Sequence, residues 1–494
     1  MLPNVDMTVQ KIHNTNFSSL SLMDDFGRVF FRNNKIYRAI THEKVEYCRN
    51  LLNSNLYKEL REKEYIPETK ISDLQVENYG LVLEHEKLTE THKHEWTFSM
   101  LKDAALKILD INKICNKHGY ELKDSHLANV LFKGVNPVWI DLGSIATLKS
   151  DQNSWLAYDE FLNSIVVPLA FLSAGKTYIA RKLLESIHYG ITTLPKQNIV
   201  QSGLLSLLPG TINNGPFLFK YRNKILLKTH GRSNLLSILS YWPTKMVQSA
   251  TGRNTVLFTY SQVPIRQNSL KDLYPENLIE PHLKSLQQFD TKTQWQGYHQ
   301  NYYDGNGEII ISERFKKIIE VMKGINDINN ILDLAGNEGL LSQLLFENIE
   351  KLQRIIIADY DENAIDFAYN KFKTLKTDKL HTVLLNLMYT PNMEDTQKRL
   401  QSDLVLALAI THHLILTMNY SIQAIFEKIK AYSKKYVIIE FMPLGLWSSK
   451  EEVFPTLPKW YNVEWFRNEF NNYFDIILEE KLEVNRIMFL GIIK

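Results

Sequence analysis

Residues 331–361 constrain this chain more than any other stretch. Ile-Leu-Asp-Leu-Ala-Gly-Asn-Glu-Gly-Leu-Leu is followed, after a gap, by Ile-Ile-Ile-Ala-Asp-Tyr-Asp. An apolar strand over 330–334 runs into a glycine-bearing turn, and a helix follows with Leu341, Leu344 and Leu345 on one face. The next apolar strand, 354–358, ends on Asp359, 20 residues after Gly339. Strand, glycine turn, helix, strand, acid is the layout that a nucleoside-bearing ligand requires. Gly336 and Gly339 let the backbone approach it, and Asp359 accepts from both ribose hydroxyls.

This stretch resembles the cofactor site of class I S-adenosylmethionine-dependent methyltransferases, which bind a nucleoside without pyrophosphate. The resemblance implies that Asp333 orients the turn, Gly336 and Gly339 flank the cofactor and Asp359 takes the ribose. Asn386 stands where many members place an acid for the adenine amino group, and Ala335 stands where the commonest pattern has glycine.

Downstream, apolar strands alternate with helical patterns, the signature of a parallel sheet covered on both faces. Strands are expected over 382–387, 403–410 and 436–441, with a helix carrying Ile422, Ile425, Phe426 and Ile429 before the last of these. Two final strands, 475–478 and 487–493, would form an antiparallel pair, completing a Rossmann-like α/β sheet of seven strands of the methyltransferase type. His412 and His413 follow the fourth strand and Glu440 ends the fifth, so these three are the candidate catalytic groups. One histidine of an adjacent pair is expected to be structural, and Glu440 can equally bind a backbone amide. Trp295, Gln296, Gly297 and Tyr298, with Tyr302, Tyr303 and Asp304, form an aromatic cluster that is either a lid or an interdomain seam.

A second constellation lies at 121–143. Asp124 and Asn129 are five apart, and Asp141 follows 12 residues later in an Asp-Leu-Gly turn. This resembles the catalytic loop and metal-binding turn of protein-kinase-like folds, with Asp124 receiving the acceptor proton and Asn129 and Asp141 holding Mg²⁺ for ATP. A hairpin turning at Asn33-Asn34, a hinge strand at 81–84 and a helix carrying Leu101, Ala104, Ala105, Ile108, Ile111 and Cys115 fit an α+β kinase-like domain. Gly27 stands alone, with no glycine-rich phosphate loop, and Arg38 is the nearest substitute for the usual strand lysine. Such a lobe is either inactive or binds something other than ATP.

Together the two halves resemble bacterial proteins that join a kinase-like half to a class I methyltransferase half. Glu95 to Leu106, Leu122-Lys123-Asp124, Leu406 to Ala409 and His412-His413-Leu414 carry the likeness, which spans nearly the whole chain apart from about residues 200–280. Some members are linked to nodulation factor or surface-glycan modification, which implies a glycan or other hydroxyl-bearing acceptor and, for a non-catalytic first half, a glycan-assembly partner. The expected organisation is a kinase-like domain over 1–240, a connecting helical or lid region over 241–300 and the methyltransferase domain over 301–494. Loops are expected around Gly210 to Pro216 and at Thr251 to Asn254.

Composition removes other classes. A net charge of +2 on 494 residues gives no reason to expect nucleic acid. Two cysteines, Cys48 and Cys115, exclude a disulfide framework, and the most apolar run, 165–174, is too short to span a bilayer. The start of the chain lacks an apolar signal core, so a cytoplasmic location is expected. Three readings remain: a saccharide O-methyltransferase, a bifunctional kinase and methyltransferase, or a methyltransferase joined to a non-catalytic scaffold.

Overall fold

The computed structural model describes residues 10–149 except 14, 19, 20, 22 and 23, then 154–185, 274–289, 309–447 and 454–494, with single positions 271, 292, 293, 295, 297 and 302. The loops expected at Gly210 and Thr251, and most of the connecting region over 241–300, lie outside the described residues. The chain divides into two compact units, Met1–Ala157 with Asp290–Lys494, and Tyr158–Phe289.

In the first unit, β1 (Gln10–Ile12) precedes the hairpin β2 (Gly27–Arg32) and β3 (Lys35–Ile40). Asn33 and Asn34 both lie in the left-handed region, φ 49° and 62°, as a two-residue turn matching strand twist requires. Helices α1 (Val45–Leu52) and α2 (Asn55–Glu62) follow, then β4 (Thr69–Ile71), β5 (Leu74–Val76) and β6 (Leu81–His85). Strands β2, β3, β6 and β4 form an antiparallel sheet in that order. The long helix α3 (Phe98–Lys117) buries Leu101, Ala104, Ala105, Ile108, Ile111 and Cys115, the face its helical spacing predicts. After it come β7 (Tyr120–Leu122), the hairpin β8 (Val130–Lys133) and β9 (Asn136–Trp139), and β10 (Ile145–Thr147), which pairs with β7.

The second unit contains α4 (Tyr158–Phe161), α5 (Val167–Ser173), α6 (Thr177–Glu185) and α7 (Ile279–Ser285). A π-helical turn, Leu162–Val166, joins α4 to α5.

The remainder of the first unit alternates as the sequence predicts: α8 (Glu313–Lys323), β11 (Asn330–Leu334), α9 (Leu340–Asn348), β12 (Arg354–Asp359), α10 (Glu362–Phe372), β13 (Leu380–Leu384), α11 (Met393–Leu400), β14 (Ser402–Ala407), α12 (Thr411–Leu416), α13 (Ile422–Tyr432), β15 (Ser433–Phe441), α14 (Val463–Tyr473), β16 (Phe474–Glu483) and β17 (Arg486–Ile493). Among the described residues these make a seven-stranded sheet ordered β13-β12-β11-β14-β15-β17-β16. The first five strands are parallel, and β17 is antiparallel to both β15 and β16. Ile355, Ile356 and Ile357 are wholly buried in succession, because helices cover both faces. On one face Ile422, Ile425, Phe426 and Ile429 of α13 meet Phe466 and Phe470 of α14 over Val437, Ile439 and Phe489.

Several strand limits differ from expectation: β15 begins at Ser433, β16 runs on to Glu483, and β13 and β14 stop early. β13 stops at Leu384, because the Asn386 side chain accepts from the amides of Met388 (3.0 Å) and Tyr389 (3.2 Å) and turns the chain. β14 stops at Ala407, and Ala409 takes φ 50°, which ends the strand before His412.

The start of α3 is joined to this sheet by polar contacts, of which Glu95–Arg399 is buried. Arg399 donates to both Glu95 oxygens, at 2.6 and 3.2 Å. Asp366 accepts from Ser99, Asp103 accepts from Tyr369 (2.8 Å), and Lys373 pairs with Asp103 at 2.5 Å. Removing one partner of a buried pair such as Glu95–Arg399 costs about 3–5 kcal/mol, so these contacts fix the two segments together.

Candidate functional site

The parallel register aligns Leu334, Ala358 and Ala407, and pairs Ala407 with Ile439. The carboxyl ends of β11, β12, β14 and β15 therefore share one edge. Between β11 and β14 the chain reverses its direction of travel across the sheet, which opens the crevice where such sheets bind ligands.

The loop after β11 is built from left-handed residues: Ala335 (φ 56°), Asn337 (φ 51°) and Gly339 (φ 67°). At Gly339 a Cβ would come within 2.6 Å of Phe372 Cζ, and at Gly336 within 2.8 Å of Ile357 and 2.9 Å of Asp333 Oδ2. Both glycines are required by close approach, independently of any ligand. Asp333 is buried and accepts from Ser342 Oγ at 2.8 Å. Burial, reinforced by the nearby Asp359 charge, pushes its carboxyl up to about 7.

Asp359 ends β12 with each oxygen holding one backbone amide, Asn337 N on Oδ2 at 3.0 Å and Asp361 N on Oδ1 at 2.9 Å. Burial raises its carboxyl to about 6 despite these bonds. A carboxylate accepts about four hydrogen bonds, so these amides do not exhaust its capacity to accept a hydroxyl. Asn386 is exposed, and its Oδ1 is committed to its own turn, which leaves less for an adenine amino group than the sequence comparison implies.

His412 and His413 sit in the first turn of α12, which Thr411 ties to β15 by donating its hydroxyl to the Glu440 carbonyl at 3.0 Å. Their rings are 4.1 Å apart. His412 is buried, with Nδ1 unpartnered among the described residues, and burial together with His413 and Arg486 pushes it down to about 2. His413 is half-buried, lowered by desolvation, and meets the Trp295 ring edge-on at 4.7 Å.

Glu440 is tied to two arginines. Its carboxylate is wholly buried and clamped by Arg314, Nε at 2.6 Å and Nη2 at 2.7 Å, and by Arg486 Nη1 at 2.9 Å. The two guanidinium groups outweigh desolvation and hold it below the usual carboxylate range, so it is an anchor and a poor proton acceptor.

Of the aromatic cluster, Gln296, Tyr298, Tyr303 and Asp304 lie outside the described residues. Trp295 Nε1 donates to the Tyr360 hydroxyl (2.9 Å), the Trp295 carbonyl accepts from Asn337 Nδ2 (3.1 Å), and Gly297 N donates to Glu338 (2.7 Å). These contacts put Trp295 against the strand-end loops. Tyr302 stacks on Phe315. Sequence reasoning missed Arg314, Arg486 and the bonding of Asn337.

The second constellation is also gathered by backbone bonds. Lys123 N donates to Ser144 O at 2.8 Å, and Ile140 N to Asn129 O at 2.9 Å. Asp124, Asn129 and Asp141 thus flank the open end of the β8–β9 hairpin. Arg38 on β3 donates to Asp141 Oδ1 at 2.7 Å and lies 3.6 Å from Asp24. Among the described residues no group of three or more His, Cys, Asp or Glu could hold a metal ion. Among the described residues no helix is long and apolar enough to cross a membrane.

The chain is 25% identical over 375 residues to nodulation protein NoeA of Rhizobium meliloti (strain 1021), covering 73% of this chain and 71% of that one. No family model matches. Similar solved structures include protein PH0226 from Pyrococcus horikoshii OT3, at 18% identity, 40% of this chain, 99% of that one and a TM-score of 0.31. N-methyltransferase NodS from Bradyrhizobium japonicum WM9 is 10% identical over 37% of this chain and 94% of its own, with a TM-score of 0.28. Scores at this level carry no weight for activity; the sheet order rests on the strand pairings themselves.

Proposed function

We propose that this chain is an S-adenosylmethionine-dependent methyltransferase acting on a hydroxyl of a saccharide, in the synthesis or modification of a bacterial surface glycan. The observation that carries the reading is Asp359. It ends the strand beside the first one, its two oxygens are oriented by backbone amides, and it adjoins a turn of left-handed residues at the crevice of a seven-stranded sheet. Asp359 and the loop 335–339 would hold the nucleoside, with Asp333 fixing the turn through Ser342. The glycan acceptor is what the family resemblance in the sequence implies.

The bound cofactor supplies an electrophilic methyl group; the chain's task is to hold an acceptor oxygen in line with it at near-attack distance. A base for the hydroxyl proton works best with a pKa near the operating pH. His412 is buried and too far depressed, so His413, half-buried beside Trp295, is the proton acceptor, and His412 packs beneath it. Glu440, Arg314 and Arg486 hold the ends of β15 and β17 around them.

Residues 1–240 are read as a kinase-like domain that does no phosphoryl transfer, 241–300 as a connecting region and 301–494 as the methyltransferase domain. We read Mg²⁺ and ATP as a poor fit to the first domain, because the Arg38 guanidinium already pairs with Asp141 Oδ1. A docking role for a glycan-assembly partner is the reading this favours over a bifunctional enzyme.

Calorimetry with S-adenosylhomocysteine tests the cofactor site. A folded Asp359→Ala chain should bind roughly tenfold or more weakly, since charge-assisted bonds worth about 1.5–3 kcal/mol are lost. Unchanged affinity would remove the anchor of the site. The methylated product formed from a glycan extract with labelled cofactor tests the acceptor.

A further inference from the structure

Helix α10 braces both parts of the candidate cofactor site. At its start Asp361 caps it, accepting from the amides of Asn363 at 3.0 Å and Ala364 at 3.2 Å. The Asp361 amide in turn donates to Asp359 Oδ1 at 2.9 Å. At its other end Phe372 lies so near Gly339 that a Cβ there would come within 2.6 Å of the ring. One unbroken helix, Glu362–Phe372, therefore sets where Asp359 sits relative to the loop 335–339.

What fixes α10 itself comes from the first half of the chain. Asp366, Tyr369, Asn370 and, just past the helix end, Lys373 recur at i, i+3, i+4 and i+7, which puts them on one side. That side meets Ser99 and Asp103, one turn apart on α3. Asp366 accepts from the Ser99 amide at 2.8 Å and hydroxyl at 2.7 Å, and Asn370 Nδ2 donates to the same hydroxyl at 3.0 Å. Tyr369, wholly buried, donates to Asp103 at 2.8 Å, and Lys373 pairs with Asp103. Phe132 of β8 meets the Tyr369 ring edge-on at 6.0 Å. In the β8–β9 turn, a Cβ on Gly134 would come within 2.6 Å of the Thr377 carbonyl oxygen.

We propose that α3 is a positioning element of the cofactor site, so that the first half serves methyl transfer by completing the second half. Ser99 and Asp366 are positioning residues: they act on Asp359 through α10. The inference rests on the cofactor reading above and adds to it the segment that holds Asp359 in place. It also gives the first half a task that needs neither ATP nor a partner.

The test is calorimetry of S-adenosylhomocysteine binding to the full chain, well below the melting transition of each variant. Ser99→Ala, the mild change, and Asp366→Ala should each bind about fivefold more weakly. The double variant should bind no more weakly than Asp366→Ala alone, because both changes remove one shared contact. Asp366→Asn, which keeps an acceptor for the Ser99 amide, should recover affinity to within about twofold of wild type. Ser421→Ala is the stability control: it removes the cap of α13, where Ser421 Oγ accepts from the Ala424 amide at 3.2 Å. It should lower the melting temperature and leave affinity unchanged. Wild-type affinity in Ser99→Ala and Asp366→Ala overturns the proposal and leaves the cofactor reading in place. An equal loss of affinity in Ser421→Ala also overturns it, by assigning the effect to stability alone. A wild-type chain that does not bind S-adenosylhomocysteine overturns the cofactor reading itself.

Discussion

Asp366 caps a helix to which it does not belong. From α10 its carboxylate accepts from the backbone amide of Ser99 at 2.8 Å and from the Ser99 hydroxyl at 2.7 Å, at the first turn of α3. Helix starts leave amides unpaired, and a carboxylate there also meets the positive end of the helix dipole. Because α10 begins directly after the Asp359 turn, the cap links the segment assigned to a kinase-like domain with the cofactor strand.

Asp366→Ala should therefore destabilise the full chain by about 1–3 kcal/mol, the scale for losing a buried partner. Chemical denaturation should show one shifted transition. A variant as stable as wild type would mean the two segments are not joined through this contact.

Asp333 links stability to pH. Its carboxyl is raised from 3.8 to about 7 by burial, so the folded chain binds a proton more tightly than the unfolded one. Its contribution is fully present below 3.8 and is lost as pH rises through about 7. Asp333→Asn keeps an acceptor for Ser342 and removes the titration. The melting temperature of the variant, relative to wild type, should rise by about 2 °C or more between pH 5 and pH 8. A pH-independent difference would show that the Asp333 carboxyl does not titrate there.

Ala335 stores strain at φ 56°. Left-handed backbone costs a residue with a Cβ about 1–2 kcal/mol, and glycine returns part of that as unfolded-state entropy. Ala335→Gly should stabilise the chain by roughly 0.5–1 kcal/mol, read by denaturant midpoint; destabilisation would show that the Ala methyl packs against something worth more than the strain.

The parallel strands were legible in the sequence because a run such as Ile355 to Ile357, buried on both faces, has few alternatives. The ends of β13 and β14 were not, since they are set by the Asn386 side chain and by the left-handed turn at Ala409, which hydropathy does not encode. The acid at the end of β12 was found from spacing, whereas the state of Glu440 could not be. Its arginines stand 126 positions before it and 46 after, and no local pattern marks either. Trp295 was visible as an aromatic, but its three neighbours were not. The cap by Asp366 is similarly silent, its partner lying 267 positions away.

Arg38 and Asp141 give the prediction for the first half. With the guanidinium 2.7 Å from the carboxylate, Mg²⁺-ATP has to displace an ion pair before binding. A thermal-shift titration of the full chain with Mg²⁺-ATP should give no stabilisation. A clear shift that disappears in Asp141→Asn would reinstate the bifunctional enzyme.

His412 and His413 share one turn of α12 but differ in surroundings, and the difference decides which carries the proton. Burial, His413 and Arg486 hold His412 neutral down to about pH 2, so it does not titrate across any working range. His413 is lowered from 6.5 by desolvation alone and keeps part of its ring accessible. His413→Ala should lose roughly 10²-fold in turnover, the usual contribution of a general base, with S-adenosylhomocysteine affinity retained. His412→Gln, which preserves polarity and much of the volume, should stay within about fivefold of wild type. The wild-type rate should fall on an acid limb below pH 6.5 as His413 takes up a proton, and that limb should vanish in His413→Ala. Were His412→Gln the slower variant, or were the limb to survive the loss of His413, the proton acceptor would lie elsewhere, and holding the two reacting atoms in line would account for the rate on its own.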